Sequence, residues 1–349
     1  MRILLVHERF APDYRGGGEY LVLETARGLQ AAGHHVRVLT TGNPGALEFE
    51  GISTARLAIN PYLMIARSRT VARFARDMDA DLIQTFSYHA ARPAYFACKG
   101  LEIPGFLTVL GLFGREWRNM RPLGIGSLYQ RYEQHITTLG FDRTIFLSDY
   151  SRDLGISMGV DPSISRVLNP GVDVRAYAPA KEKDNVALFV GKFEARKGID
   201  AVLELARQAP EMRIRMIGWG PGDKRLRSSA PGNLEIIEFQ RGNALFEAFA
   251  SAKLFLFPSH AETFGLVLVE AMAAGCAIVS SIPLPYAGVT VPPGDTAGFI
   301  AAARELWSQP DTMREMGREN TRNAEFYNWR RATDELLQIY REVLGQKDG

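Results

Sequence analysis

Short apolar runs alternate with segments of helical periodicity through most of this 349-residue chain. In the first half, runs typical of buried strands fall at 3–7, 36–40, 81–85, 106–109 and 144–147. In the second half they fall at 186–190, 213–217, 234–237, 254–257 and 277–279. Near-continuous apolar strands separated by helices are typical of parallel sheets that are covered on both faces. The alternation therefore predicts the α/β class, with doubly wound parallel sheets.

The alternation breaks near 169–173, and a polar stretch at 179–185 follows before the pattern restarts. A chain of this length can form two domains with separate cores. We therefore expect Rossmann-like domains at 1–168 and 169–326, followed by a C-terminal helical segment at 327–349. Open α/β sheets bind ligands beyond the carboxyl ends of their strands, so two such domains would face a cleft that a hinge could close.

Charge and composition exclude few classes of function. The chain carries a net charge of +2 and is 46% hydrophobic, which is typical of a globular protein. Between Arg56 and Arg131, eleven basic residues stand against five acidic ones. This excess indicates either a solvated basic face or a surface for an acidic acceptor or an anionic membrane.

Cysteine usage and hydropathy predict a location. Cys98 and Cys276 lie in apolar or small-residue settings, which favours reduced thiols. No apolar run approaches the ~20 residues of a membrane span, and the opening segment is too short for a signal peptide. We therefore expect a cytoplasmic protein, with a peripheral position at the inner face of the membrane left open. No His or Cys cluster has metal-site spacing, so no metal site is expected.

The segment 259–272 carries the most information about function. It places Glu270 in a run of Leu, Val, Ala and Met, where an ionised carboxylate loses hydration that only a partner can replace. We predict a helix from Phe264, after the turn Glu262–Gly265, and a helix start favours a phosphate through its free N–H groups and its dipole. A phosphate site beside a hydroxyl-accepting carboxylate suits a nucleotide diphosphate sugar. The alternative is a structural Glu270 that is salt-bridged to a core Arg or Lys.

Three loops after predicted strands are further candidates. The glycines at 16–18 permit close backbone approach to a ligand, and a flexible turn is the alternative. Lys192 at a strand end and Lys197 at a predicted helix start are placed to reach one diphosphate, and a solvated basic loop is the alternative. Gly218 belongs to the third loop, at 217–222, for which the alternative is a turn whose glycines serve only packing.

Together these motifs resemble those of glycosyltransferase family 4, the retaining enzymes with the two-domain GT-B fold that include glycogen synthases and mannosyltransferases. The resemblance covers nearly the whole chain, and its most specific part is the pair Glu262 and Glu270 around Phe264-Gly265-Leu266. It implies an acceptor-binding N-terminal domain, a C-terminal domain that binds the nucleotide sugar, and a C-terminal helix that packs back on the N-terminal domain.

The resemblance also implies a role for each matched residue. Glu270 would bind the ribose hydroxyls, and Glu262 would face the transferred sugar. Lys192 and Lys197 would hold the diphosphate, which makes Glu262, Lys192 and Lys197 the implied catalytic set. The implied donor site comprises Gly16, Gly17, Lys192, Lys197, Gly218, Glu262, Phe264, Gly265, Leu266, Val267 and Glu270.

The chain departs from the family pattern in three places. Lys192 stands where the family usually has Arg, so bidentate geometry is lost. Leu110 occupies the place of a His that contacts the transferred sugar. The glycine-rich loop that follows the strand at 277–279 is shortened to 282–288. These departures leave open an unusual donor or an inactive homologue.

We therefore predict a hexosyltransferase of the EC 2.4 class that uses a UDP- or GDP-sugar and requires no further cofactor. Its acceptor would be a glycan, a glycolipid or a small molecule with a free hydroxyl, and no nucleic acid partner is expected. Arg115, Arg118 and Arg121 would meet an acidic or lipid-phosphate group of the acceptor. Two alternatives stay open: an epimerase or phosphorylase of the same fold, and a catalytically weak sugar-nucleotide-binding subunit of a partner transferase.

Overall fold

A computed structural model of the chain describes residues 1–14, 16–121 and 124–347. The chain divides into two compact units. The first contains Met1–Pro170 together with the C-terminal segment that begins at Trp329, and the second contains Gly171–Asn328. Each unit is built around one sheet with helices between its strands, which confirms the prediction of doubly wound α/β architecture.

The sheet of the first unit has eight strands in the described part of the chain. They are β1 (Arg2–Val6), β2 (His35–Thr41), β3 (Glu48–Phe49), β4 (Ile52–Leu57), β5 (Leu82–Phe86), β6 (Gly105–Val109), β7 (Arg143–Phe146) and β8 (Ser165–Val167). Their order is β3-β4-β2-β1-β5-β6-β7-β8. The β3–β4 pairing is antiparallel and the other pairings of this sheet are parallel.

Helices connect these strands. They are α1 (Gly17–Ala31), α2 (Ser68–Asp77), α3 (Ala91–Leu101), α4 (Trp117–Met120), α5 (Ile125–Thr137) and α6 (Asp149–Ser157), with 3₁₀ turns at Pro61–Ala66, Gly114–Glu116 and Pro162–Ile164. Helix α1 buries Leu21, Val22, Ala26 and Leu29, which recur at helical spacing and form one apolar face. Ser148 is the N-cap of helix α6, and with Ser151 it forms a capping box that satisfies free N–H groups at the start of the helix.

The second unit has a six-stranded parallel sheet in the described residues. Its strands are β9 (Asp184–Lys192), β10 (Ile214–Trp219), β11 (Leu234–Glu238), β12 (Ala252–Phe257), β13 (Ala277–Ser280) and β14 (Gly288–Thr290). Its helices are α7 (Ile199–Gln208), α8 (Asp223–Ser229), α9 (Asn243–Ser251), α10 (Leu266–Ala273), α11 (Thr296–Trp307) and α12 (Pro310–Ala324), with a 3₁₀ turn at Ala195–Lys197. The order β11-β10-β9-β12-β13-β14 is that of a Rossmann fold.

The C-terminal helix α13 (Trp329–Lys347) belongs to the first unit. Its residues Leu336, Leu337 and Tyr340 join the core cluster that contains strand residues of β1, β2 and β5. Tyr340 is fully buried, meets the ring of Phe106 edge-on at a centroid distance of 4.7 Å, and donates a hydrogen bond to the Gln84 side chain. The last helix is therefore part of the first unit's core.

Two predicted helix starts are wrong. The helix expected from Lys197 begins at Ile199, and the one expected from Phe264 begins at Leu266. In each case a glycine with positive φ precedes the helix: Gly198 has φ +68° and Gly265 has φ +85°. A residue in that conformation cannot continue a right-handed helix, so it sets the boundary.

Among the helices that the described residues form, none combines the length and the hydropathy needed to cross a membrane. The longest, α13, has charged residues throughout and buries its apolar face against the first unit. Substitutions in α13 therefore test how much this helix contributes to the stability of the first unit.

We expect Tyr340→Phe to lower the free energy of unfolding by about 1–3 kcal/mol, because the buried Gln84 carbonyl oxygen loses its donor. Tyr340→Ala should cost about 3–5 kcal/mol, since it also leaves a cavity. Urea unfolding measures both changes. The exposed Tyr150 provides the matched control, and Tyr150→Phe should change stability by less than about 0.5 kcal/mol. Equal effects at the two positions would contradict this account of α13.

Candidate functional site

The strand order of the second unit reverses at one point, and this switch point lies at the carboxyl ends of its parallel strands. Strands β9 and β12 are neighbours, but β10 and β11 continue the sheet on one side while β13 and β14 continue it on the other. Connections after β9 and β12 therefore diverge, and ligands of open α/β sheets bind at such a switch point. Lys192 ends β9, and the segment 258–265 follows β12. The sequence-predicted lysines and Glu262 thus emerge at the same edge.

An ion-pair network joins these two loops. The Glu262 carboxylate accepts hydrogen bonds from Lys197, from Arg196 Nη1 at 3.1 Å and from the Ser259 hydroxyl at 2.9 Å. Arg196 also donates to the Ala261 carbonyl oxygen at 2.7 Å. Burial alone would raise the pKa of Glu262, but Lys197 and Arg196 reverse the effect and hold that pKa below its ordinary value. Glu262 is therefore a fixed negative charge.

Lys192 is the most exposed cation of the network. Its side chain is 47% exposed, against 18% for Arg196 and 15% for Lys197. Glu194 connects it to the rest, since its carboxylate contacts Lys192 Nζ at 3.1 Å and Arg196 Nη2 at 2.8 Å. Burial would raise the pKa of Glu194, but Arg196 and Lys192 lower it. Three cations against two carboxylates leave an excess positive charge, and Lys192 presents it to solvent.

Two glycines permit close backbone approaches at this end of the sheet. A Cβ added to Gly198 would lie 2.0 Å from the Pro258 carbonyl oxygen. One added to Gly218, in β10, would lie 1.8 Å from the carbonyl oxygen of Gly191 in β9. Both distances are far below van der Waals contact, so a side chain at either position would push the backbone apart. Gly218 thus has a packing role, as its alternative interpretation expected, at the edge of the candidate site.

Helix α10 begins beside the network with an uncapped N-terminus. Its N-cap is Gly265, which has no side chain to bond the first N–H groups. Phe264 is 3% exposed and packs against Tyr327 at a centroid distance of 5.7 Å, which anchors the turn. Leu266 and Val267 are half-buried and form the first turn of the helix. Backbone N–H groups at such a start suit an anion.

Glu270 lies one turn into α10 in an apolar environment. Burial raises the pKa of Glu270 to about 7, although a hydrogen bond from Tyr177 opposes the rise. Tyr177 is itself buried between Phe246 and Phe249. Within the described residues no Lys or Arg forms an ion pair with Glu270, so the salt-bridged alternative fails there. Tyr177 could not be predicted from the sequence, because its contact with Glu270 spans 93 positions of the chain.

Gly16 and Gly17 lie in the first unit, whereas the remaining predicted site residues lie in the second. Gly16 is the N-cap of α1 and Gly17 is its first residue. The neighbouring Gly18 faces Leu110, since an added Cβ would lie 3.2 Å from Leu110 Cδ1. Leu110 is partly buried and its N–H bonds the Ser87 hydroxyl at 3.1 Å. The residue that replaces the expected His therefore packs beside the glycine loop.

The first unit holds a buried carboxylate that the sequence analysis missed. Glu8, only 6% exposed, follows β1 and accepts hydrogen bonds from the N–H groups of Tyr88 at 3.3 Å and Ala90 at 3.2 Å. Burial raises its pKa, but the neighbouring His7 and these bonds give a net lowering. Its place at the carboxyl end of a central strand was a usable signal. This end of the sheet, between β1 and β5, is the first unit's own switch point.

A second buried carboxylate fixes the loop that carries Arg115. Glu133 in α5 is fully buried and accepts bonds from Gly114 N–H at 2.7 Å, the Trp117 indole at 2.9 Å and the Tyr88 hydroxyl at 2.7 Å. Burial raises the pKa of Glu133 against the lowering effect of these donors. The segment 113–117 is therefore held rigidly against α5. Arg115 is exposed on it.

No group of three His, Cys, Asp or Glu side chains is arranged to hold a metal ion in the described ranges 1–14, 16–121 and 124–347. Cationic side chains and a helix start are the available features for binding an anion in the second unit.

Two family models match the chain. The one described as Glycosyltransferase Family 4 matches residues 15–176, and the one described as Glycosyl transferases group 1 matches residues 174–323. Together they extend from the first unit through nearly all of the second. The resemblance drawn from the sequence motifs is thereby confirmed.

The curated relatives align with this chain over only part of their own length. A D-inositol 3-phosphate glycosyltransferase of Saccharomonospora viridis is 29% identical over 241 residues, which are 58% of this chain and 56% of the relative. A protein of the same name from Mycobacterium bovis is 30% identical over 59% of this chain and 49% of its own length. The chain thus spans about half the length of the curated relatives it matches.

Solved structures match the fold over nearly the whole chain. Sucrose-phosphate synthase from Thermosynechococcus elongatus superposes with a TM-score of 0.83 and 19% identity over 99% of both chains. The Anabaena protein HepE, in complex with UDP and glucose, superposes with a TM-score of 0.79 and 15% identity over 97% of this chain and 99% of HepE. This likeness confirms the predicted GT-B fold.

The raised pKa of Glu270 predicts a pH dependence of stability. Between pH 4.5 and about 7 the folded state keeps the Glu270 proton that the unfolded chain loses. The unfolded state then binds fewer protons, so the contribution of Glu270 to the free energy of unfolding falls as pH rises through this range. We expect Glu270→Gln to be more stable than the parent at pH 8 by up to about 3 kcal/mol, with the difference shrinking towards pH 4.5.

Urea unfolding of both proteins at several pH values measures this difference. Glu211→Gln changes an exposed glutamate of the same unit and serves as the control, for which the difference from the parent should stay near zero. A Glu270→Gln difference that does not vary with pH would show that Glu270 is ionised normally in the folded state.

Proposed function

Since the chain belongs to glycosyltransferase family 4, we propose that it transfers a hexose-type sugar, with retention, from a nucleotide diphosphate sugar to an acceptor hydroxyl. Donor binding is assigned to the second unit and acceptor binding to the first. The observation that carries the proposal is the cationic loop 192–197, which is ion-paired to Glu262 three residues before Gly265, the N-cap of α10.

A departing diphosphate needs positive charge that is already in place. Lys192 supplies an exposed ammonium group, and Lys197 and Arg196 supply charge that Glu262 holds in position. The first N–H groups of α10 add a helix-terminus dipole. Preorganised charge of this kind stabilises a transition state without reorganisation at the moment of reaction. In this proposal Lys192 and Lys197 bind the diphosphate, with Phe264–Val267 as its backbone cradle.

The two glutamates have different roles because their environments differ. Glu262, ionised and held by three donors, orients the hydroxyls of the transferred sugar. Glu270 accepts hydrogen bonds from the ribose hydroxyls while Tyr177 holds its carboxyl group. Hydroxyl donors favour the ionised form, so donor binding should lower the pKa of Glu270 from its raised value.

The proposed reaction breaks the bond between the anomeric carbon and the diphosphate oxygen. A bond between that carbon and the acceptor oxygen forms on the same face, and the acceptor proton passes to a phosphate oxygen of the donor. The ion pairs of Glu262 with Lys197 and Arg196 favour this route over a covalent glycosyl-enzyme, because they lower the nucleophilicity of the carboxylate.

The donor is proposed to be a UDP-sugar, with GDP-sugars as the second choice, and the complex of HepE with UDP and glucose supports this order. The acceptor is proposed to carry a phosphate or another acidic group. The names of the curated relatives support this, as do the exposed Arg115, Arg118 and Arg121 of the first unit. Glu133 would support such an acceptor by fixing the loop that carries Arg115.

A thermal-shift panel of UDP-, GDP-, ADP- and TDP-sugars tests donor binding, since a ligand of the folded state raises its apparent stability. For the donor that binds, Glu270→Ala should weaken affinity by about 10- to 100-fold, because the donor loses its hydrogen bonds to a charged acceptor. Glu211→Ala, at an exposed position of the same unit, should leave affinity unchanged. Equal affinities in all three proteins would remove Glu270 from the site.

Turnover distinguishes an enzyme from a binding subunit. With the donor that binds, the isolated chain should release nucleoside diphosphate, and release should accelerate with a hydroxyl acceptor. Binding without any release, with or without acceptors, would favour the sugar-nucleotide-binding subunit, for which Leu110 in place of the usual His is the supporting feature.

A further inference from the structure

A cavity of the second unit lies at the amino ends of the strands, opposite the candidate donor site. It has a volume of about 490 Å³. Lys183, Lys253 and Gly275 line it at the amino ends of β9, β12 and β13. Because the donor-site loops follow the carboxyl ends of β9 and β12, this cavity is separate from them. The proposed transferase reaction makes no use of it.

Positive charge is concentrated around this cavity. Its lining includes five basic side chains and one acidic side chain: Lys181, Lys183, Lys253, Arg314 and Arg318 against Glu182. The whole chain carries a net charge of only +2, so this is a local concentration. Arg314 is paired with Asp311, whereas the other four basic residues form no ion pair within the part of the chain that the structure describes. Such a surface raises the local concentration of anions.

Lys183 lies at the inner side of the cavity and is held in place. Its ammonium group donates hydrogen bonds to the carbonyl oxygens of Ala252 and Ala274, both at 2.7 Å. Burial lowers the pKa of Lys183, against the opposing effect of the nearby Cys276 thiol. These two oxygens, with the Cys276 sulfur at 3.9 Å, accept from the ammonium group but carry no full negative charge. An anion in the cavity would compensate a buried cation that otherwise has only dipoles around it.

The remaining lining suits a small organic molecule that carries the anion. Pro179, Pro310 and Met313 contribute apolar surface. Helix α12 begins at Pro310, and its N-cap Gln309 makes no side-chain capping bond, so the positive end of a 15-residue helix borders the cavity. The volume falls in the range of small-molecule sites, about 300–1,000 Å³.

We propose that this cavity binds a phosphate-bearing molecule at a site distinct from the donor site. Lysine and arginine side chains are the usual phosphate partners in proteins, as point charges and as bidentate donors respectively. Lys181 and Arg318, both exposed at the rim, would attract the phosphate, and Lys183 would be the fixed cation behind them. The phosphate can belong to a free metabolite or to a lipid headgroup, because the chemistry of recognition is the same.

The first test is calorimetric titration of the full chain with inorganic pyrophosphate. The double variant Lys181→Glu/Arg318→Glu should weaken binding by at least about tenfold, since two attractive charges become repulsive. The control Arg207→Glu/Arg304→Glu makes the same charge change at exposed helix positions outside the cavity, and it should bind as the parent does. Circular dichroism verifies that both variants are folded, and Lys253→Gln gives a milder second variant.

Pyrophosphate can also enter the proposed donor site, so a further variant is needed to distinguish binding there from binding in the cavity. In Lys192→Gln/Lys197→Gln the cavity is intact, and cavity binding should persist whether or not the chain is a transferase. Pyrophosphate binding that disappears in this variant but is unchanged in Lys181→Glu/Arg318→Glu would overturn the proposal.

Flotation with vesicles of phosphatidylglycerol, against vesicles of phosphatidylcholine alone, tests the lipid source. The site would be assigned to a lipid headgroup if the parent and the control variant bind phosphatidylglycerol vesicles and Lys181→Glu/Arg318→Glu does not. Pyrophosphate binding with the same dependence, without vesicle binding, would assign it to a free phosphorylated molecule. If the cavity variant and the control variant bind equally in both assays, or if the parent binds neither probe, the proposal is wrong.

Discussion

All strands of the second unit's sheet run in one direction, and the candidate site depends on that constraint. Parallel strands send their carboxyl ends to one edge, and the order reversal between β9 and β12 makes the loops after them diverge. The ion pairs of Glu262 with Lys197 and Arg196 then connect the two loops across the reversal. Gly198 permits the close approach of the first loop to Pro258, and Gly218 permits that of β10 to β9. The cationic side chains, the start of α10 and the two carboxylates thus lie at one end of the sheet without a long insertion in the chain.

Two glutamates only eight positions apart have opposite environments, and this is the main electrostatic feature of the site. Glu262 is surrounded by donors and cations, which hold its pKa below the ordinary value. Glu270 has the Tyr177 hydroxyl as its identified partner, and burial raises its pKa to about 7. Pairs of carboxyl groups whose pKa values are pushed apart commonly divide roles in active sites. Here the division is between a fixed charge and a hydroxyl acceptor whose ionisation depends on its ligand.

The central strands were predictable because their apolar runs are long enough to exclude other interpretations. The expected strand at 106–109 lies within β6, and that at 254–257 lies within β12. Short edge strands such as β3 and β14 were missed, since two or three residues carry no periodic signal. The starts predicted at 197 and 264 were wrong because glycines in the left-handed conformation set the observed starts at 199 and 266. Hydrophobic periodicity carries no signal for such a glycine.

Residues next to strand ends could be predicted to lie together, whereas contacts that only folding creates could not. Lys192, Lys197 and Glu262 could be named from loop position, and the structure joins them in one network. Arg196 and Tyr177 were not named. Arg196 contacts Glu262 as the neighbouring Lys197 does and also contacts Glu194, while Tyr177 meets Glu270 across a long stretch of chain. Such pairings require the tertiary structure.

We propose that the switch point of the second unit binds the nucleotide diphosphate sugar. Hydrogen exchange of the full chain, with and without the UDP- or GDP-sugar that stabilises it, tests this most directly. We expect slower exchange in peptides covering 191–198 and 262–270, with exchange at the cavity residues 179–183 and 310–318 unchanged. Protection confined to other segments, or a stabilising donor that leaves both predicted peptides unchanged, would contradict it.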